Sequence, residues 1–211
     1  LAARRLVYGD NKVCGLSTPS AAQAARAAGA IYGGLIFEED SPRNVSRETA
    51  EQIISHEPGL RYIAVSRRTS NFAEIAFEGI HAIQLHAPYQ GSVEAERALI
   101  AEARKHSNFV WRAIDMTAPD APDLARALAG DADLLVLDTG RGGTGQTFDW
   151  STVPRDIPAL LAGGLNLENL EEALAVGTAG LDLNSGMETS RGKDSGLIAR
   201  AFQTIRNYTN P

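Results

Sequence analysis

Eight short β-branched or aliphatic runs recur along the chain, most followed by a polar or glycine-rich turn and then by an Ala/Glu/Arg-rich stretch of helical spacing. That alternation predicts a parallel sheet buried by helices, and eight units fit a closed (β/α)8 TIM barrel in a single domain. The runs are apolar on both faces, as strands covered on both sides must be. The length, 211 residues, lies near the practical floor of about 200 for this architecture, so the loops must be tight. A doubly wound open sheet is the structural alternative, but no G-x-G-x-x-G opens its first helix.

In order, the runs cover 12–14, 30–37, 60–65, 82–85, 109–114, 134–138, 159–162 and 181–184. After the first comes "SAAQAARAAG", an alanine-rich helix stopped by Gly29. After the second, "SRETAEQIISH" opens with a Ser-x-x-Thr start and keeps its apolar residues on one face. The stretch "SVEAERALIAEARKH" behind the fourth run is amphipathic in the same way. A brief helix is expected near 120–129, and "NLENLEEALAVG" predicts a helix capped by Asn166 and ended by Gly177.

Composition narrows the function. Hydrophobic residues make up 44% and charged residues 22%, an ordinary globular balance that implies one sizeable core. The net charge is −6 and the twenty Lys and Arg are scattered, which argues against a nucleic-acid partner. A single cysteine cannot form an internal disulfide, and no apolar run nears the roughly 20 residues of a membrane span, so a cytoplasmic protein is expected. The opening "LAARRLVYGD" has neither an initiator Met nor the pattern of a signal peptide. Residues 1–10 therefore read as residual interdomain linker, and 11–211 as the barrel domain.

In such a barrel the C-terminal strand ends face the active site. Cys14 stands at the first, Ser41–Arg43 beyond the second, His86 after the fourth, Asp138 at the sixth, Gly163 and Gly164 after the seventh, and Asp182 to Gly186 around the eighth. The paired glycines and the "NSG" of Asn184, Ser185 and Gly186 suit a phosphate held by backbone N–H groups; the plainer reading is that Gly163 and Gly164 turn the chain. The segment "DTGRGGTGQTFDW" places four glycines between 140 and 145, as a loop that folds over a ligand or as a simple solvent loop. Arg43, steered by Pro42, can grip a carboxylate or be a surface arginine. His86 is a base, a ligand or a structural hydrogen-bonder. Asp138 ends the apolar "LLVLD", where a raised pKa would suit a general acid. Cys14 is a base if its thiol is nudged electrostatically, and core filler otherwise.

Read together, "KVCGL", "GLIFEEDSPRNVS", "AIQLH", "LLVLDTGRGGTGQTFDW", "LLAGGLNLENL" and "GLDLNSGMETSRGKD" resemble the phosphoribosylanthranilate isomerase family of tryptophan biosynthesis. The motifs run in order from about 12 to 206, each at a strand end. The resemblance implies an Amadori rearrangement of a small phosphosugar without metal or organic cofactor. Cys14 would be the general base, Asp138 the general acid, Arg43 the ligand of the anthranilate carboxylate, and Gly163, Gly164, Asn184, Ser185 and Gly143 the phosphate site, with Asp182 and His86 supporting. The lead-in "RRLVYGDNKVCGL" also resembles the join to a fused indole-3-glycerol-phosphate synthase domain.

Three positions depart from the family's habit: Ala87 and Pro88 follow the histidine where a glycine is usual, and Ser66 stands where an apolar aromatic is common. They bear on the loops after strands three and four. Two rival functions remain at this level. One is an aldose–ketose isomerase of the histidine-pathway type, which resembles a barrel with paired aspartates, one of them where Cys14 stands. The other is a non-catalytic barrel supporting a fused partner.

Overall fold

The computed structural model describes residues 2–140 and 145–209. Eight parallel strands among them close into a barrel in sequence order: β1 (Lys12–Val13), β2 (Tyr32–Ile36), β3 (Arg61–Ser66), β4 (Ile80–Leu85), β5 (Val110–Asp115), β6 (Leu134–Asp138), β7 (Ala159–Leu161) and β8 (Gly180–Leu183). The two residues of β1 complete the ring, pairing Lys12 with Tyr32 on one side and Asp182 on the other.

The helices in chain order are α1 (Ala2–Tyr8), α2 (Pro19–Ala28), α3 (Arg47–His56), α4 (Val93–Arg104), α5 (Ala121–Leu128), α6 (Leu170–Ala175) and α7 (Ser195–Thr209). Their starts follow local chemistry. Thr18, Ser46 and Ser92 cap α2, α3 and α4 by accepting from the N–H groups of Ala21, Thr49 and Ala95. Gly29, at φ 129°, ends α2. The brief helix expected near 120–129 is α5.

Two expectations are corrected. Asn166 does not cap a helix directly: its Oδ1 accepts from the N–H groups of Glu168 and Asn169, closing a turn, and α6 begins only at Leu170. The strand–helix alternation also lapses twice. After β3 and after β6 the helix is replaced by single 3-10 turns, Phe72–Glu74 and Trp150–Thr152. In the first, Asn71 enters the turn in a left-handed conformation; in the second, Pro154 and Pro158 leave no uninterrupted span for a helix. These two economies let a short chain complete eight units.

Residues alternate across each strand, so two cores form. Outward side chains such as Leu135, Leu137 and Leu161 meet the helices, while Cys14, Ile63, Val65, Ala113, Val136 and Leu160 cluster in the barrel interior. Residues 2–8, assigned above to linker, are helical. Tyr8 meets Phe202 of α7 edge-on at 5.9 Å, and Arg4 donates to the carbonyl oxygens of Ala30 and Gly59 at 2.8 and 2.5 Å. Beyond β8, β9 (Glu188–Thr189) and β10 (Gly192–Lys193) form a small antiparallel hairpin.

Candidate active site

The strands that place Val136 and Leu160 inward also place Lys12, Cys14, Gln84, His86, Asp138 and Asp182 inward, by the same period of two. At the C-terminal ends of the strands these side chains line, or lie directly beneath, a cavity of about 610 Å³ whose wall includes Cys14, Arg43, His86, Asp138, Gly163 and Asn184. The structure thus brings the sequence-predicted residues to one cavity, Gly143 excepted, which lies outside the described residues.

Cys14 is 5% exposed and its N–H donates to the Leu183 carbonyl at 2.8 Å. Two residues back, the Lys12 ammonium donates to Asp182 Oδ2 at 2.7 Å and to Gln84 Oε1 at 2.8 Å. Burial alone would push Lys12 down, but Asp182 and Cys14 outweigh it and its pKa lies above the ordinary lysine value. The electrostatic nudge on the thiol comes from lysines, against burial. Burial pushes the Cys14 pKa up, and the attraction of Lys12 and Lys193 only partly offsets it. Cys14 thus lies between opposing influences, burial that favours its neutral thiol and two lysines that favour its thiolate.

A glycine makes room for this arrangement. A Cβ on Gly34 of β2 would stand 2.6 Å from Cys14 Sγ and 2.9 Å from Lys12 Cε. Gly34→Ala is expected to cost about 1–3 kcal/mol through overpacking. Thermal unfolding should show a lower Tm, and thiol titration of the native protein should show a changed Cys14 reaction rate; an unchanged rate would mean that Gly34 does not set the thiol's position.

Asp138 Oδ1 accepts from the Thr139 N–H at 2.7 Å, while Oδ2 faces His86 Nε2 at 3.7 Å. That distance is too long for a hydrogen bond, and His86 Nε2 is buried without a partner among the described residues. Burial lowers the His86 pKa, with Asp138 opposing, so the imidazole is neutral at physiological pH. Asp182 Oδ1 is likewise buried and unpartnered.

Gly163 and Gly164 both take positive φ, 84° and 64°. A Cβ on Gly163 would lie 2.9 Å from Asp138 Oδ1, and one on Gly164 would lie 2.6 Å from the backbone of Gln146, so both positions require glycine. The Gly164 carbonyl is taken up by the side-chain amides of Asn169 and Asn166 at 3.0 and 3.2 Å, and neither glycine donates its N–H to the backbone of another described residue. Ser185 opens a one-turn 3-10 helix, Ser185–Met187, and a Cβ on Gly186 would strike the Leu165 carbonyl, so the loops after β7 and β8 abut.

Arg43 sits on a turn closed by the Asn44 N–H to the Ser41 carbonyl at 3.0 Å. Its guanidinium grips Glu188 bidentately, with Nε 2.8 Å from Oε1 and Nη2 2.7 Å from Oε2. Lys193 Nζ donates to the same Oε1 and to Asn184 Oδ1 at 2.9 Å. At the positions that depart from the family habit, Ser66 Oγ donates to Glu38 Oε1 at 2.7 Å, and the Ala87 and Pro88 carbonyls accept from Arg112.

Sequence reading missed Lys12, Gln84, Glu188 and Lys193. For Lys12 there was a signal: a charge inside an apolar strand, two residues before Cys14 and so on the same face. For Glu188 and Lys193 there was none, because only the hairpin joins them to Arg43. Among the described residues, no group of three or more His, Cys, Asp and Glu is placed to hold a metal ion.

Fold and site define a barrel enzyme with ionisable side chains and paired glycines collected at the C-terminal strand ends, where barrels carry their chemistry. Residues 11–204 match the family model for N-(5′-phosphoribosyl)anthranilate (PRA) isomerase. The chain belongs to that family. It is 57% identical to the tryptophan biosynthesis protein TrpCF of Corynebacterium glutamicum, over 99% of this chain and 46% of the relative. The chain thus spans about half the length of the curated relatives it matches. Among solved structures it is similar to TrpF from Jonesia denitrificans, with a TM-score of 0.78 and 27% identity over 96% of this chain and 99% of that one. Phosphoribosyl anthranilate isomerase from Thermotoga maritima gives a TM-score of 0.76 and 27% identity over 94% and 99%.

Proposed function

We propose that this chain converts N-(5′-phosphoribosyl)anthranilate to 1-(2-carboxyphenylamino)-1-deoxyribulose 5-phosphate, with Asp138 as general acid and Cys14 as general base. The observation that carries the assignment is that the two groups stand at the ends of β6 and β1 on the wall of one cavity, with Gly163 against Asp138 and Gly164 in the same wall.

Asp138 gives its proton to the furanose ring oxygen, the C1′–O bond breaks, and an iminium forms between C1′ and the anthranilate nitrogen. That iminium is the electron sink. Cys14, as thiolate, takes the C2′ proton, and the C–H electrons form the enolamine. The enolamine gains a proton at C1′ and loses one from the C2′ hydroxyl, so C1′ is reduced and C2′ oxidised within one molecule. Asp138 ends ionised and Cys14 protonated, and one proton passed through solvent resets the pair. Each positioned transfer contributes about 10²–10⁴-fold.

Anchoring both anionic ends fixes the sugar between acid and base. Arg43 receives the anthranilate carboxylate; the amides of Gly163, Gly164 and Ser185, with Asn184 beside them, receive the phosphate; Gly143 belongs to the same phosphate site. The orphaned Asp182 Oδ1 and His86 Nε2 support the assignment by offering polar partners to the ribose hydroxyls.

Anthranilate fluorescence reports the reaction, with the substrate generated in situ and this chain added. A decay faster than the spontaneous background, abolished in Cys14→Ala, is the expected result. Turnover of a histidine-pathway aminoaldose in its place would overturn the substrate assignment. The relatives' extra length supports a fused indole-3-glycerol-phosphate synthase domain as partner. Among the described residues no helix is long and apolar enough to cross a membrane, which fits the cytoplasmic location proposed.

A further inference from the structure

Arg43 is not a free cation awaiting an anion, because Glu188 already occupies one of its edges. The contact is side-on, through Nε and Nη2. Nη1 makes no hydrogen bond to another described residue, so the end-on edge formed by Nη1 and Nη2 is left for a ligand, and Arg43 is part of the cavity wall. Glu188 is itself held from behind: Lys193 Nζ reaches its Oε1 at 2.5 Å and is anchored to the Asn184 carbonyl and Oδ1 at 3.1 and 2.9 Å. The Lys193 side chain is 2% exposed, and Glu188 and Lys193 face each other across the β9–β10 pairing.

The cluster rests directly on the backbone next to the thiol. A Cβ on Gly15 would stand 2.6 Å from Arg43 Cδ, 2.9 Å from Asn184 Oδ1 and 3.4 Å from Lys193 Nζ. Two cations share one carboxylate there, so the group keeps a net positive charge while its arginine is fixed in direction.

From this geometry we infer that Glu188, backed by Lys193, is a positioning residue that aims the open edge of Arg43 at the substrate carboxylate and thereby sets selectivity for an anionic aryl group. The inference rests on the reading above that Arg43 receives that carboxylate. Lys193 offsets the negative charge of Glu188, which would otherwise repel the incoming carboxylate. A guanidinium already oriented loses less side-chain freedom when the ligand arrives.

The test compares Glu188→Gln with Arg43→Ala in this chain, using free anthranilate as probe of the carboxylate end and inorganic phosphate as probe of the other. Glu188→Gln is expected to raise KM and the anthranilate inhibition constant by about tenfold or more, since small misplacements of a clamp are costly. The phosphate inhibition constant should change less than the anthranilate constant, because Gly163 and Gly164 lie on the loop after β7 and the Glu188 carboxylate bonds Arg43 and Lys193 but neither Asn184 nor Ser185. Equal weakening of both probes would show a merely structural role. Unchanged or tighter anthranilate binding would show that Glu188 is a bystander or a competitor for Arg43. Any of these overturns the inference. If Arg43→Ala leaves anthranilate binding intact, the carboxylate assignment itself falls; if Arg43→Ala weakens it and Glu188→Gln does not, only the positioning role does. Calorimetric titration with anthranilate gives the same comparison without turnover.

Discussion

Cys14→Ser is expected to lower kcat/KM by at least about 10²-fold, a loss typical of a removed general base. The side chain keeps nearly the same shape, so binding is retained and the loss falls on kcat. The hydroxyl's intrinsic pKa lies far above that of a thiol, and the burial that already pushes Cys14 up acts on serine in the same direction. Asp138→Asn should cost a similar factor, since the amide has no proton to give the ring oxygen. Steady-state kinetics by fluorescence decide the matter: Cys14→Ala and Asp138→Asn each retaining more than about a tenth of the wild-type kcat/KM would remove the acid and base assignments while leaving the fold intact.

The same chemistry fixes a pH dependence. Burial holds the Cys14 pKa above the ordinary thiol value and alkylation needs the thiolate, so the rate of Cys14 alkylation by iodoacetamide should climb with pH through the neutral range and beyond. Lys12 opposes that rise in pKa, so Lys12→Gln should move the ascending limb to higher pH.

Arg112→Met is expected to be the most destabilising change outside the cavity's chemistry. Arg112 and Glu96 form a bidentate pair, Nε–Oε2 2.6 Å and Nη2–Oε1 2.8 Å, with side chains only 3% and 0% exposed. The guanidinium also donates to the carbonyl oxygens of Leu85, Ala87 and Pro88, tying down the loop after β4. Removing it leaves Glu96 buried without its counter-charge, a change that costs about 3–5 kcal/mol. For a chain of this size that corresponds to a Tm lower by roughly 6–20 °C. The double variant Arg112→Met/Glu96→Leu should recover part of the loss because no uncompensated charge remains, although the Gln90 N–H then loses Glu96 as acceptor. Thermal unfolding of the three proteins measures this, and an Arg112→Met protein within about 1 kcal/mol of wild type would show that the pair is not holding the loop.

Much of the architecture was legible because it depends on local pattern. The run 134–138 is β6 to the residue, and the other strands differ from their expected bounds by a residue or two at most ends. Such runs announce themselves by β-branched and aliphatic composition, and Ser46, Ser92 and Gly29 announce helix ends by what their own atoms can do for the backbone. Where helices were replaced by single 3-10 turns, after β3 and β6, the pattern gave no warning: short apolar stretches such as "NFAEIAF" suit either form, and packing chose the shorter.

The sequence by itself determined the barrel, the strand ends at which its ionisable side chains would gather, and the family those motifs resemble, because strand period and motif spacing are properties of contiguous residues. Only the tertiary structure decided what each charge would face. Asp182 stands 170 positions from Lys12, and Glu188 stands 145 from Arg43; both meetings exist because the barrel closes β8 against β1 and folds its last hairpin over the first loops. The state of the thiol was decided there too. Whether Cys14 is raised or lowered depends on its burial and on charges from β1, β8 and the β9–β10 hairpin, and electrostatic fields act through space with no record in the order of the residues.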